Sequence, residues 1–416
     1  MTGGEPARVP AAIRRRPKDR KAQIARASAD AFSAQGYHAV SMEDIASRVG
    51  ISSSALYRHS PSKYDLFREA MLSLSGQLVA ATAFAEDFTA GESASVLSEL
   101  ITSLVAITMD NRTAGGLYRW ERRYLRPGDK DALKRDLDLV NRRLQRPLAA
   151  QRPKLSTAQL STLSAATLSV IGSITDHSTP LASGEVRNFM SQMAADILAA
   201  DLPANRANRG PYYSRPVLTA AGGTYEFVLQ ESMRLFYERG FRDTGMEDIA
   251  AAVDMQPSGL YRYFPGKADM LVASYRRAAD RTSGDVATIV ARHPEPEDAL
   301  AALITAYVTR SFNYPEIAYV YYTERYHVPD HELVMLDAIQ QSTADAWVRL
   351  VTATRPEMTA ARARYAVYAA YAVIVDLGRV VRRADSAGVR ATARRLTEVA
   401  LLGRPARTGT TARRGR

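Results

Sequence analysis

The sequence predicts an all-α protein built as two tandem units, and three observations carry that reading. The stretch from Gly36 to Phe67 returns at Gly240 to Leu271 with a constant offset of 204 residues and no gap, and fourteen of its thirty-two positions are identical. Repetition at so long a period marks two whole domains rather than a solenoid of small units. Small and apolar residues recur at helical spacing in both halves, at Ile24, Ser28, Ala31 and Phe32 and again at Val228, Ser232, Leu235 and Phe236. Sustained two-residue alternation, the mark of a half-buried strand, does not occur.

The elements follow in order. Residues 1–17, rich in Gly, Pro and Ala before the run Arg14 to Lys21, are expected to form a disordered basic arm that leads into the first helix. Ser41 is placed to cap a second helix whose Asp44 reaches back to it, with Ile45 and Val49 on one face. Gly50 ends that helix, because glycine enters left-handed backbone angles without strain. Ser52 then caps a third helix, Ser53 to His59, with Leu56 inward, and Ser62 caps a fourth that carries Lys63 in its first turn and Leu66, Phe67 and Ala70 on its inner face. Two short helices at a tight turn form a helix-turn-helix, whose second helix enters the DNA major groove.

In the second copy Gly245 replaces the capping Ser41, Asp254 replaces Gly50, and Gln256 and Pro257 replace Ser52 and Ser53. Aspartate tolerates left-handed angles better than most residues, and proline suits the first position of a helix. The second copy is therefore expected to fold while reading DNA differently or less tightly. Phe264 in this copy stands where the first has Ser60.

The expected division is a DNA-binding domain at 18–74, a helical region at 75–201, a Pro/Gly-rich linker at 202–221, a second DNA-binding domain at 222–278, a second helical region at 279–402 and a basic tail at 403–416. Loops are expected at 89–92, 127–129 and 180–184. Long helices are expected over 157–176, 185–201 and 360–383. The first and last of these are rich in small residues, which suit either tight core packing or a helix pair used for dimerisation. A short echo, Trp120 to Tyr124 against Thr323 to Tyr326, links the helical regions at nearly the same offset.

The pairs Gly36–Tyr37, Ile45–Ala46 and Leu56–Tyr57, with Val49 to Ser52 and Pro61 followed two residues on by Lys63, fall in an order and spacing that resembles the TetR family of bacterial repressors. The resemblance implies an N-terminal three-helix DNA-binding domain in each unit, a helical ligand-binding and dimerisation domain behind it, and a double-stranded DNA operator as partner. It also implies phosphate contacts from Tyr57 and Lys63. Chains with two such units resemble actinobacterial repressors of lipid-uptake genes, which favours a small apolar, lipid-like effector. Because both readers lie on one chain, a pseudo-dimer on two unlike half-sites is the simplest expectation. Further pairing of chains stays open, as does a conventional homodimer in which the second helix-turn-helix is only a scaffold.

The residues expected at DNA are Arg14, Arg15 and Arg16 in the arm, then Ser41, Ser52, Ser53, Ser54, Tyr57, Arg58, His59 and Lys63 in the first reader. Gln256, Ser258, Tyr261, Arg262, Tyr263 and Lys267 are their counterparts in the second. Arginine reads guanine through two acceptors at once, and glutamine reads adenine. Trp120, Tyr124, Tyr319, Tyr322 and Tyr326, with Tyr307, Phe312, Tyr314 and Tyr321 around them, are candidates to line an apolar effector pocket, or an ordinary aromatic core.

Composition narrows the rest. The 416 residues carry a net charge of +11, of which residues 1–21 and the last fourteen each hold +5. Basic ends on a nearly neutral body suit arms for a polyanion, or solubility tails. The absence of cysteine excludes disulfides, thiolate metal sites and cysteine nucleophiles. No run of eighteen apolar residues and no signal-peptide pattern appear, so a cytosolic location and no membrane partner are expected. No cofactor, metal site or enzymatic activity is expected. His327 and His331 have a metal-like spacing, but Pro329 between them breaks the helix that would align them. The remaining rival is a non-specific nucleic-acid binder acting through its basic ends.

Overall fold

A computed structural model describes residues 17–114, 116–203, 223–380 and 387–404. Arg14, Arg15 and Arg16, nearly all of the expected linker and the tail beyond Arg404 lie outside the described residues. The first unit comprises α1 (Pro17–Ala39), α2 (Met42–Val49), α3 (Ser53–His59), α4 (Lys63–Ala81), α5 (Ser93–Asp110), α6 (Leu117–Trp120), α7 (Pro127–Gln151), α8 (Thr157–Gly172) and α9 (Ser183–Leu198). The second repeats it with α10 (Thr224–Arg239), α11 (Met246–Ala252), α12 (Pro257–Leu260), α13 (Lys267–Arg292), α14 (Pro296–Asn313), α15 (Pro315–Glu324), α16 (Asp330–Thr354), α17 (Ala360–Val380) and α18 (Ala387–Leu402). Among the described residues no strand occurs.

Local chemistry accounts for the boundaries. Ser41 Oγ accepts the Asp44 amide while Asp44 accepts the Ser41 amide, a reciprocal cap that satisfies two orphan donors of α2. Gly50 ends α2 at φ 69°, and Asp254 holds the matching turn at φ 54°. Ser52 caps α3 and Ser62 caps α4 through Ala55 and Asp65 amides. Pro257 starts α12, as its fixed φ favours. The expected loop at 127–129 is instead the first turn of α7, with Pro127 at a position where a missing amide costs nothing. The expected boundaries at 74 and 278 fall inside α4 and α13, so each reader shares one continuous helix with the region behind it.

Each reader closes over its own core. Ile24, Ala31, Phe32, Ile45, Leu56 and Phe67 are buried together in the first, and Val228, Phe236, Ile249, Leu260 and Leu271 in the second. Behind them a single apolar core runs through both units, from Leu100, Leu144, Val170 and Ile197 to Trp347, Tyr365, Val373 and Leu396. α8 and α9 pack there against α17 and α18. The small residues explain how closely α8 and α17 approach: Ala166, Ala363, Ala366, Ala369 and Ala370 are fully buried. Buried hydroxyls on α8 return to their own helix, Thr167 to the Leu163 carbonyl at 2.8 Å and Ser173, in the turn that follows, to that of Val170 at 2.7 Å. α5, the most apolar helix, turns Leu97, Leu100, Ile101 and Leu104 into this core.

Candidate nucleic-acid interface and effector cavity

Of the first reader's expected contacts, Ser52, Ser54, Tyr57, Arg58 and His59 are exposed on α3 and its cap. Ser53 is half-buried. Among the described residues no ion pair or hydrogen bond engages the guanidinium of Arg58 or of Arg262, so both are free to approach base edges. Ser41, Ser52 and Ser54 are less free. Ser41 is held by Asp44, and Ser52 lies 3.0 Å from Ser54 while accepting the Ala55 amide. The second reader exposes Gln256, Ser258, Tyr261, Arg262 and Tyr263, but on a helix of one turn with no side-chain cap. Ser60 and Phe264 are both buried, and only Phe264 packs a ring, that of Tyr225 at 4.9 Å.

Both expected phosphate lysines also serve the fold. Lys63 Nζ donates to the His38 carbonyl at 3.2 Å and lies over the Tyr37 ring; Lys267 Nζ donates to the carbonyls of Phe241 and Thr244 and lies over Phe241. Each thereby closes the turn between the first two helices of its reader. Burial and the nearby Arg242 guanidinium lower the pKa of Lys63, and burial, Arg242 and Lys63 lower that of His38. The hinge turns of the two readers therefore face one another across a basic spot.

Sequence reasoning missed the residues that hold these turns. Glu121, just after α6, accepts the Tyr37 amide at 3.4 Å, and Glu324, at the end of α15, accepts the Phe241 amide at 3.2 Å. Each carboxylate serves the residue following a glycine of positive φ, Gly36 or Gly240. The next contacts cross between units. Arg123 pairs with Glu324, donates to Thr323 Oγ1 at 2.7 Å and reaches the Phe236 carbonyl of α10. Tyr326 donates to the Ser33 carbonyl of α1 at 2.9 Å and lies against Gly36. The echo of Glu-Arg in the two helical regions was the sequence signal for this arrangement.

Glu121 is buried, and its pKa is pushed up to about 8, first by burial and further by Glu324, against the Tyr37 amide and Arg123, which lower it. A carboxyl with a folded pKa above its unfolded one favours the fold fully while protonated, and that contribution is lost as pH rises through the folded value. Stability is thus expected to fall between pH 4.5 and 8 by up to about 1.4 kcal/mol per pH unit from this group. Glu121→Gln should match the parent near pH 5 and exceed it by a few kcal/mol at pH 9. Parallel denaturation profiles for the two proteins across that range would contradict the assignment.

A cavity of about 360 Å³ lies in the second unit, walled by α10, α13, α14, α15, α16 and α17 and bordered from the first unit by Arg119, Trp120 and Asp176. Trp120 and Tyr322 line it, stacked on each other at 4.3 Å. Tyr124, Tyr319 and Tyr326 do not. Tyr124 stacks on Tyr37, Tyr319 packs between Trp120, Tyr237 and the guanidinium groups of Arg123 and Arg379, and Tyr326 is spent on the crossing to α1. The α6 and α15 segments are short, so residues a few positions apart leave the cavity for the readers. Tyr307, Tyr314 and Tyr321, expected with them, do line the cavity, Phe312 packs in the shared core, and Tyr368 and Tyr371 complete the aromatic wall. His327 stacks on Phe241 while His331 is exposed on α16, so the two histidines do not converge.

The family model for bacterial regulatory proteins of the TetR family matches residues 24–70 and 228–273, the two readers. Both readers match that family's DNA-binding domain, so the chain carries two such domains in tandem. Over 54 residues, 13% of its length, it is 43% identical to the HTH-type transcriptional activator FasR of Mycolicibacterium smegmatis, and the match spans a quarter of that relative. Similar solved structures include a TetR-family regulator from Bordetella parapertussis (19% identity, 44% of this chain and 95% of that one, TM-score 0.40). Another is PfmR from Thermus thermophilus (21% identity, 46% of this chain and 100% of that one, TM-score 0.38).

Proposed function

We propose that the chain is a sequence-specific transcriptional repressor that binds an asymmetric operator as an intramolecular pseudo-dimer and is released by a small apolar ligand. The observation that carries this reading is the pairing of two unlike readers by one shared core: Ser52 to His59 and Gln256 to Tyr263 present different side chains, yet α8, α9, α17 and α18 join their units as one body. A regulator that places two identical readers one helical turn apart needs a palindrome, whereas unlike readers need unlike half-sites. Tyr57, Arg58 and Lys63, with Tyr261, Arg262 and Lys267, are the proposed phosphate and base contacts. The cavity of the second unit is the proposed effector site, and a ligand acts by favouring a conformer whose readers no longer match the DNA spacing.

The test is binding of the purified protein to its own upstream DNA with molar stoichiometry. One chain per site is expected, with specific binding abolished by either Tyr57→Ala/Lys63→Ala or Tyr261→Ala/Lys267→Ala. Arg58→Ala alone is expected to cost about 1–3 kcal/mol and to relax preference within one half-site only. The one-turn, uncapped α12 favours a second reading, in which the second reader is a scaffold. Two chains per site and indifference to the second double variant would establish it. A promoter fusion assayed with and without the protein separates repression from activation.

A further inference from the structure

The cavity touches both of the short helices that hold the readers, one from each unit. Arg119 and Trp120 of α6 form its inner wall, and Ile317, Tyr321 and Tyr322 of α15 form another. Immediately beyond Trp120, Glu121 holds the hinge turn of the first reader and Arg123 reaches α10 of the second. Immediately beyond Tyr322, Glu324 holds the hinge turn of the second reader and Tyr326 reaches α1 of the first. Each reader is thus gripped from both units, and both grips begin at one cavity wall.

The first unit differs at the matching place. Leu74 stands where the second unit has Ala278, Ser75 donates to Asp136 at 2.6 Å, and Asn111 donates to Gln77 at 3.0 Å, tying α4 to α7 and to the end of α5. In the second unit the smaller Ala278 lines the cavity.

The wall also defines the ligand's chemistry. Each of its arginines has a carboxylate partner: Arg119 pairs with Asp176 and Asp376, Arg277 and Arg281 share Glu226, and Arg310 pairs with Asp285. Yet Ser274 Oγ, Gln230 Oε1 and the Tyr371 hydroxyl are buried with no hydrogen-bond partner. Buried polar groups left unpaired are expensive; a bound hydroxyl relieves Gln230 by donating, and a hydroxyl or carbonyl relieves Ser274 and Tyr371 by accepting.

Resting on the reading of this cavity as the effector site, we propose that it is one shared site for both readers. It takes a neutral, largely apolar molecule with hydroxyl or carbonyl groups, and its occupancy resets the two hinge turns together. A single ligand per chain then does what two ligands do in an assembly with one site per reader. Because a ligand moves only what it touches differently in two states, contact with both α6 and α15 is the physical requirement for joint release.

The neutral fluorophore N-phenyl-1-naphthylamine serves as probe, with amide hydrogen exchange read at residues 36–41 and 240–245 of the full chain. One probe per chain is expected, with affinity reduced at least about tenfold by Ala372→Trp. Ser274→Phe fills the same space from α13 and provides a second blocked variant should the first fail to fold. Saturating probe is expected to change exchange in both turns of the parent protein, and a cavity-filling side chain to change both without probe. Probe binding that survives both substitutions, or no binding at all, overturns the cavity as effector site and the shared control with it. Binding that is blocked as expected but changes exchange at 240–245 alone, or at neither turn, overturns shared control while leaving the site itself standing.

Discussion

Replacing Arg119 by leucine is expected to cost the protein about 3–5 kcal/mol at neutral pH, the usual penalty for removing one partner of a buried ion pair. Its guanidinium donates to both oxygens of Asp176 at 3.0 Å and to Asp376 at 2.9 Å, joining α6 to the end of α8 and to α17. Burial opposes its charge, but the two carboxylates outweigh burial and raise its pKa. Leucine would strand Asp176 in a place with little water, while Asp376 keeps Arg379 at 3.6 Å. Asp176 would have to take up a proton or open the α8–α17 contact. The loss should therefore shrink as pH falls and Asp176 protonates without needing a partner. Chemical denaturation at pH 8 and pH 5 measures this. A variant within about 1 kcal/mol of the parent at pH 8 would show that the network is solvated in solution.

Gly36→Ala should be the most damaging single methyl group in the first unit. Gly36 sits at φ 75° and ψ 157°, a region open essentially to glycine alone, where any other residue costs about 1–3 kcal/mol. An added Cβ would also come within 2.7 Å of Tyr326 Cδ2 and 2.9 Å of its Cε2. That ring is fixed by its bond to the Ser33 carbonyl, so it cannot swing aside without releasing the contact between units. Gly240→Ala meets the end of the Arg123 side chain at 3.3 Å and Glu324 Oε1 at 4.0 Å, and should be milder. Adding Tyr326→Ala to Gly36→Ala should recover the clash but not the dihedral strain. Thermal unfolding of the four proteins tests this, and equal effects at the two glycines would mean that Tyr326 does not pack on α1 in solution.

Much of the readers was legible because their determinants are local. A reciprocal cap such as Ser41 with Asp44, a stop such as Gly50 or Asp254, and a face such as Ile24, Ala31 and Phe32 each depend on residues within one or two turns, so spacing alone carries them. The boundary between reader and helical region was not legible. α4 and α13 run through it unbroken, and an uninterrupted helix gives no signal in sequence. The loop expected at 127–129 failed because Pro127 and Gly128 were read as a break, whereas proline is equally at home opening a helix.

The sequence by itself determined that this protein has two unlike helix-turn-helix readers of one family, with a helical region behind each. Only the tertiary structure decided which aromatic residues line the cavity and which bind the readers together. Trp120 and Glu121 are neighbours in the chain, yet one faces the cavity and the other holds the first reader's hinge turn. Tyr322 and Tyr326 divide in the same way, because short helical segments turn successive side chains towards different neighbours. The crossed contacts join residues some two hundred to three hundred positions apart, as Arg123 with Glu324 and Ser33 with Tyr326. No local pattern encodes a partner at that distance; it is set by the packing of α8 and α9 on α17 and α18, which fixes how the two units meet.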